Sequence, residues 1–440
     1  MTQQPAALVP LPTVATAPAG SAGVGSLSWA QQFMIEVMLA SQATVGDFDL
    51  LYLHDLEPAL SVDAASDLIR RLVVAHPVLR VAIHETADGQ TVHDSVPLPI
   101  ASVRIEDVSG RLRPLVPSTS FGRSFSALFV IDGDSVVRIA VRFNHMVIDS
   151  EGAQILMDSL AALALGEPTE AHQPLTDSPT DLARFEESEL GQRIQRRSLD
   201  HAIAAYESAP PTMWQGRRPA EAERFWFGDL RSTGLLHALT RLVDEASLSR
   251  VGVLAASIAT VVAARAGTPS ALMYLISGNR FDLKWTGYPG QLAQEAVLHL
   301  PIGDTVLDTM RTTTKLAMRA LLNARYSPAK LYEVRDLIER RRGVSFDKLG
   351  NAVVLNLLGP AVAVPDIRPM PSTFSWHGYT NQENLGLYID AFQDDFAFVL
   401  RARVDTALLA PDEAEAVLRR VESTIVAAAS DSAVLREASC

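Results

Sequence analysis

Residues 135–165 read SVVRIAVRFNHMVIDSEGAQILMDSLAALAL. The first nine alternate apolar and polar residues and are rich in Val and Ile, the pattern of a strand. From Glu151 onward the apolar residues fall at helical spacing. Periods of two and of 3.6 lie on either side of a six-residue turn, so this stretch points to a fold in which helices pack on a sheet. Just upstream, FSALFVIDGD supplies a second strand, and the pair reads as a hairpin turning on Gly133-Asp134. The turn at the strand's far end carries Asn144, His145 and Asp149.

The same mixture extends along the whole chain. SLSWAQQFMIEVMLAS opens with a helix-cap serine, and FDLLYLHDL reads as a strand. SVDAASDLIRRLVVAHP is a capped helix stopped by Pro77, and VLRVAIHE is the strand that follows. The stretch 166–220 is rich in Pro, Glu, Ser, Arg and Gln and holds only short helical pieces, so it reads as a connector. Beyond it come a strand at ALMYLISGNR, a turn-rich segment FDLKWTGYPGQ, long helices, and the strands NAVVLNLLG, ENLGLYIDAFQ and DFAFVLRARVD before a last helix. The expected organisation is a disordered N-terminal tail over 1–25, an N-terminal lobe over 26–170, a connector over 171–215 and a C-terminal lobe over 216–436.

Composition narrows the function. A net charge of -13 argues against nucleic acid as a partner, because duplex binding rests on a basic footprint. The one cysteine, Cys440, excludes an internal disulfide and a zinc site built on several thiolates. The longest uncharged apolar run, residues 251–264, has fourteen residues, short of the ~20 that span a bilayer. The N-terminus lacks the positive region of a signal peptide, and the expectation is a cytoplasmic protein without a membrane partner.

The spacing His145-x-x-x-Asp149 has a chemical use. An imidazole near neutrality can take a proton from an attacking amine or hydroxyl, and a carboxylate in the same turn can hold the loop if a cation pairs with it. On those two residues alone the plainer reading prevails: a turn histidine, and an aspartate that caps the next helix.

The surrounding stretches change that weighting. SLSWAQQFMIEVMLAS, LIRRLVVAHPVLRVAI and FNHMVIDSEG, in that order, resemble the condensation domains of nonribosomal peptide synthetases, within the chloramphenicol-acetyltransferase-like superfamily. Leu27, Ser28 and Gln31 match the family's opening LSxxQ. His76, Leu79 and Arg80 match a helix ending in His-Glu-x-Leu-Arg, and His145 and Asp149 fall on the second His and the Asp of HHxxxDG. SGNRFDLKWTGYPGQLAQEAVLHLPI and the closing strands and helix continue the likeness more weakly, so that it covers about 26 to 435.

The resemblance implies an α/β fold, an α+β sandwich of two chloramphenicol-acetyltransferase-like lobes with a substrate tunnel between them. It implies a free-standing acyltransferase of natural-product biosynthesis that joins an acyl thioester to an amine or alcohol. The thioester would arrive on the phosphopantetheine of an acyl or peptidyl carrier protein, or on coenzyme A, with no bound cofactor or metal. His145 would be the base or positioning group, and Asp149 would form a structural ion pair with Arg80, which lies between the apolar Leu79 and Val81.

The sequence departs from the pattern at Asn144, where the family has its first His, and at Ser150, where it has Gly, with Gly152 two positions later. Gln294 is the nearest amide to the family's floor-loop Asn, and Trp376 and His377 are candidate tunnel residues in a loop. The basic run ERRRG at 339–343 reads as a solvated helix end or a carrier-docking patch. Two rivals remain: a recruitment module that no longer condenses, and an acyl-CoA-dependent O-acyltransferase in which one His is usual.

Overall fold

The computed structural model describes residues 8–18, 22–108, 111–166, 177–347, 352–359 and 370–430. Cys440, Pro168 and Pro174 lie outside them. The chain divides into two compact units: residues 1–193 with 278–293, and residues 194–277 with 294–440.

Unit 1 opens with β1 (Val9–Thr16) and β2 (Gly23–Gly25), then α1 (Trp29–Ala40), β3 (Leu50–Ser61) and α2 (Val62–Ala75). The short strands β4 (Val81–Ile83) and β5 (Gln90–Val92) precede β6 (Ser95–Arg104), β7 (Phe125–Asp132), β8 (Ser135–Phe143) and α3 (Ser150–Ala164). The main sheet has the order β1-β6-β7-β8-β3, and β2-β5-β4 form a small second sheet. The β7–β8 hairpin turns on Gly133, whose φ of 57° is the left-handed conformation that glycine adopts at no steric cost. Helices α1, α2 and α3 bury Met34, Ile69, Leu72 and Leu156 against Phe129, Ile139, Val141 and Phe143 of one sheet face.

Two sequence expectations fail here. Residues 9–16 are not a disordered tail: β1 pairs antiparallel with β6 from Val9↔Ser102 to Thr16↔Ser95, and β2 pairs with β5. Pro10 and Pro12 disguise the strand, but β1 is an edge strand, where a missing N–H is tolerated.

Nor is 171–215 a connector in its described part. Pro179–Glu187 is α4 and Glu189–Ser208 is α5. Pro179 occupies the first helical turn behind a Ser178–Asp181 capping box, a position that suits proline. The inward stripe of α5 is Ala202, Ala205 and Tyr206, mostly too small to show in a hydrophobic pattern.

Unit 2 holds the rest: β9 (Phe225–Ser232), α6 (Thr233–Ala246), α7 (Arg250–Ala266), β10 (Ser270–Ser277), β11 (Gln294–Pro301), α8 (Val306–Leu321) and α9 (Pro328–Arg342). β12 (Val353–Leu357), β13 (Thr373–Thr380), β14 (Leu387–Gln393), β15 (Phe398–Asp405) and α10 (Pro411–Ser430) complete it. Its sheet runs β11-β10-β12-β14-β15-β9-β13, with parallel pairs at β10–β12 and β12–β14. One face packs under α6, α7, α8 and α10, and the other carries Leu272, Tyr274 and Val297 against α5 and α9. No single helix among the described residues is long and apolar enough to cross a membrane, and the bent pair α6–α7 lies in the apolar core.

Candidate functional site

Asn144 follows the last residue of β8, and the loop from there to Asp149 is fixed from both sides. Met146, Val147 and Ile148 are wholly buried in the core beneath α2 and α3, while His145, just before them, stays partly exposed. Burial of three consecutive apolar side chains anchors the turn and leaves the imidazole at its surface.

Asn144 is fully enclosed and fully used. Its Nδ2 donates to the Ser120 carbonyl at 2.9 Å and to that of Arg123 at 3.3 Å, and its Oδ1 accepts the Met146 N–H at 2.9 Å. Its backbone carbonyl takes the N–H groups of Val147 and Ile148, each at 3.0 Å. This residue braces the loop and has no proton to exchange.

His145 Nδ1 lies 3.0 Å from the Ile148 carbonyl oxygen. A carbonyl only accepts, so Nδ1 carries the hydrogen and the neutral ring presents its lone pair at Nε2. The loop therefore selects the tautomer as well as the position.

Asp149 does two jobs. As N-cap of α3 its Oδ1 accepts the Gly152 N–H at 2.7 Å, as the plainer sequence reading had it. It also forms a buried bidentate pair with Arg280: Nη2 to Oδ1 at 2.8 Å and Nη1 to Oδ2 at 2.9 Å. The N–H groups of Leu292 and Ala293 add bonds to Oδ2 at 2.9 and 3.1 Å. Arg280 spends its remaining donors on the carbonyls of Gly278, Tyr288 and Gly290.

The expected Arg80–Asp149 pair is thus absent. Arg80 is buried but donates to the carbonyls of Val73 and His93, tying α2 to the residue that follows β5. These carbonyls and the negative charge of Asp94 serve the buried guanidinium without the carboxylate at 149.

Segment 278–293, which supplies Arg280, belongs to unit 1 although it leaves and re-enters unit 2 at β10 and β11. Trp285, Tyr288 and Leu292 anchor it in a small apolar cluster with Leu182 and Phe185 of α4. Gly152 allows it to approach, since a Cβ there would overlap the Pro289 carbonyl. Ser150 is the first residue of α3 and is partly exposed, and its carbonyl accepts the Tyr52 hydroxyl at 3.1 Å. Burial, reinforced by the Asp149 charge, raises the Tyr52 pKa and keeps that hydroxyl a donor.

The other candidates lie in unit 2. Gln294 is buried, and its amide is committed to the Tyr326 carbonyl at 2.8 Å. Trp376 and His377 lie on the strand β13 rather than in a loop, because the stretch pairs with β9. Trp376 packs edge-on against Phe374 and Trp226, and His377 Nδ1 lies 3.8 Å from Asp229, which already holds Arg401. The basic run closes α9: Arg342 donates to the carbonyls of Tyr206 and Ala209, and Arg341 pairs with Glu207.

No family model and no curated relative matches the chain. Solved structures do share its fold. One concerns condensation domain-mediated chain release from the enacyloxin polyketide synthase, with a TM-score of 0.67 and 13% identity over 88% of this chain and 78% of that one. The first condensation domain of the calcium-dependent antibiotic synthetase, in complex with a substrate analogue, gives 0.64 and 14% over 93% and 97%. The X-domain from teicoplanin biosynthesis, in complex with OxyB, gives 0.65 and 16% over 95% and 97%. The chain shares the condensation-domain fold, and each of its two units combines sheet and helix.

Proposed function

We propose that the chain is a condensation-type acyltransferase of natural-product biosynthesis. Its donor is an acyl thioester on the phosphopantetheine of a carrier protein, or on coenzyme A, and its acceptor is an amine or alcohol. The observation that carries this reading is the His145 Nδ1–H bond to the Ile148 carbonyl, which fixes the tautomer with its lone pair at Nε2. As the acceptor attacks the thioester carbonyl, Nε2 takes its proton, a new C–N or C–O bond forms, and the C–S bond breaks. The imidazolium then returns the proton to the departing thiolate. Asp149 and Arg280 hold the loop that carries this imidazole and take no part in the proton transfer.

Product formation, followed by mass spectrometry with carrier-loaded and coenzyme A thioesters and a panel of amines and alcohols, tests the reading. His145→Ala should lose ~10²–10⁴-fold in rate with the fold intact. Turnover equal to wild type removes the base, and the donor that turns over separates the carrier-dependent enzyme from the coenzyme A-dependent one.

A second reading rests on Asn144 and Ser150, which depart from the family motif, and on the fold shared with an X-domain solved in complex with OxyB. In it the protein is a docking module for a partner enzyme. Wild-type inactivity on every donor, together with tight and His145-independent binding to such an enzyme, would favour it.

A further inference from the structure

Gln291 carries a buried amide that the mechanism above does not use. It is 1% exposed, and neither Nε2 nor Oε1 has a hydrogen-bond partner among the described residues. Other buried glutamines are served. Gln31 accepts the Ser28 N–H and donates to Gln90, Gln90 donates to the Ser26 carbonyl, and Gln294 donates to Tyr326. A buried amide left without partners destabilises the fold, whereas leucine would fill similar space without that penalty.

The position of Gln291 is fixed against the catalytic loop. Its N–H donates to the Val147 carbonyl at 2.7 Å, and the next two N–H groups bind the Asp149 carboxylate. Val147 and Asp149 flank Ile148, whose carbonyl orients His145. Around the loop the N–H groups of Asn144, Met146, Val147, Ile148 and Gly152 already have protein acceptors. Among the described residues, the Gln291 side chain is thus a buried, unused hydrogen-bonding group tied directly to this turn.

We infer that the Gln291 amide is a substrate contact, binding an amide N–H and an amide C=O that flank a short spacer, as in a pantetheine arm or a peptide backbone. The inference rests on the acyl-transfer reading above. Both of its atoms are unpartnered, and that selects the ligand. An oxyanion would engage only Nε2 and leave Oε1 unmet, whereas a chain presenting N–H and C=O along one edge satisfies both. Three side-chain torsions allow the head group to turn toward a ligand from its enclosed position.

The test uses Gln291→Leu and Gln291→Met in the full chain. Each is assayed with an acyl-pantetheine and with the same acyl group on 2-mercaptoethanol, which has no amide. A second series pairs a dipeptide amide with a simple alkylamine as acceptor. Both variants should melt at or above the wild-type temperature. KM for the amide-bearing partner should rise about 10- to 100-fold while KM for its amide-free counterpart stays the same. An effect confined to the donor identifies the pantetheine arm, and one confined to the acceptor identifies a peptide-like substrate. Unchanged discrimination in both series, or a lowered melting temperature in both variants, overturns the inference. Wild type inactive on every donor overturns the acyl-transfer reading itself, and this inference with it.

Discussion

Replacing Arg280 by methionine removes the cation from a carboxylate that is 3% exposed. Asp149 would keep the N–H groups of Gly152, Leu292 and Ala293 but lose two charge-assisted bonds. At ~1.5–3 kcal/mol for each such bond, the loss is ~3–6 kcal/mol, consistent with the ~3–5 kcal/mol typical of stranding one partner of a buried pair. Asp149→Asn should cost a similar amount, because the guanidinium then faces a neutral amide. The single costs share one interaction, so the double variant should be better than their sum by roughly 2–3 kcal/mol. Urea denaturation of the two singles and the double, followed by tryptophan fluorescence, measures this coupling. Trp285, packed against Tyr288 of the same segment, reports on the region directly. Arg80→Met combined with Asp149→Asn is the control and should be additive within ~0.5 kcal/mol. Zero coupling between 149 and 280, or substantial coupling between 149 and 80, would refute the assignment.

Asn144→His should retain activity, since a neutral imidazole offers one donor and one acceptor to the same neighbours, whereas Asn144→Asp sets a carboxylate against the carbonyls of Ser120 and Arg123 and should lower soluble yield and rate together. Gly152→Ala should cost ~1–3 kcal/mol by chemical denaturation and lower acyl transfer, because the new methyl forces segment 278–293 away from the loop. Burial raises the pKa of Glu295, on β11, from the ordinary 4.5 to about 8. Its folded form holds a proton that the unfolded chain releases, so stability falls as pH rises through the window between those two values and levels off above it. Glu295→Gln should flatten that slope and gain about 3 kcal/mol at pH 7, read from denaturation midpoints across pH.

The hairpin and the helix after it were legible because their periods are unambiguous and local. The Ser28 capping box, with Gln31 as its return partner, sits at the opening helix start that the sequence marks. Elements built on small or special residues were not legible: α5 buries alanines, and β1 hides behind two prolines. β13 alternates Phe374 and Trp376 with polar residues, yet read as a loop because nothing local marks its partner β9. Within the site, the Asp149 N-cap could be read from its place just before the helix. The cation could not, because Arg280 lies 131 residues from Asp149 and no local pattern links them. Arg80 looked suitable because apolar neighbours imply burial, and burial demands acceptors. Sequence does not say whether a carboxylate or a row of carbonyls will provide them.

The excursion 278–293 also sets an order of events during synthesis. When residue 193 leaves the ribosome, every strand of the first sheet exists, yet Asp149 has no counter-charge. The nascent chain must still add all of α6, α7 and β10 before Arg280 appears. Until then the loop bearing His145 carries a carboxylate that resists burial, so it stays hydrated and unlocked. The last step in shaping this turn is the capture of a peptide made more than a hundred residues later, and a message truncated before codon 280 would yield the first sheet with its loop unset.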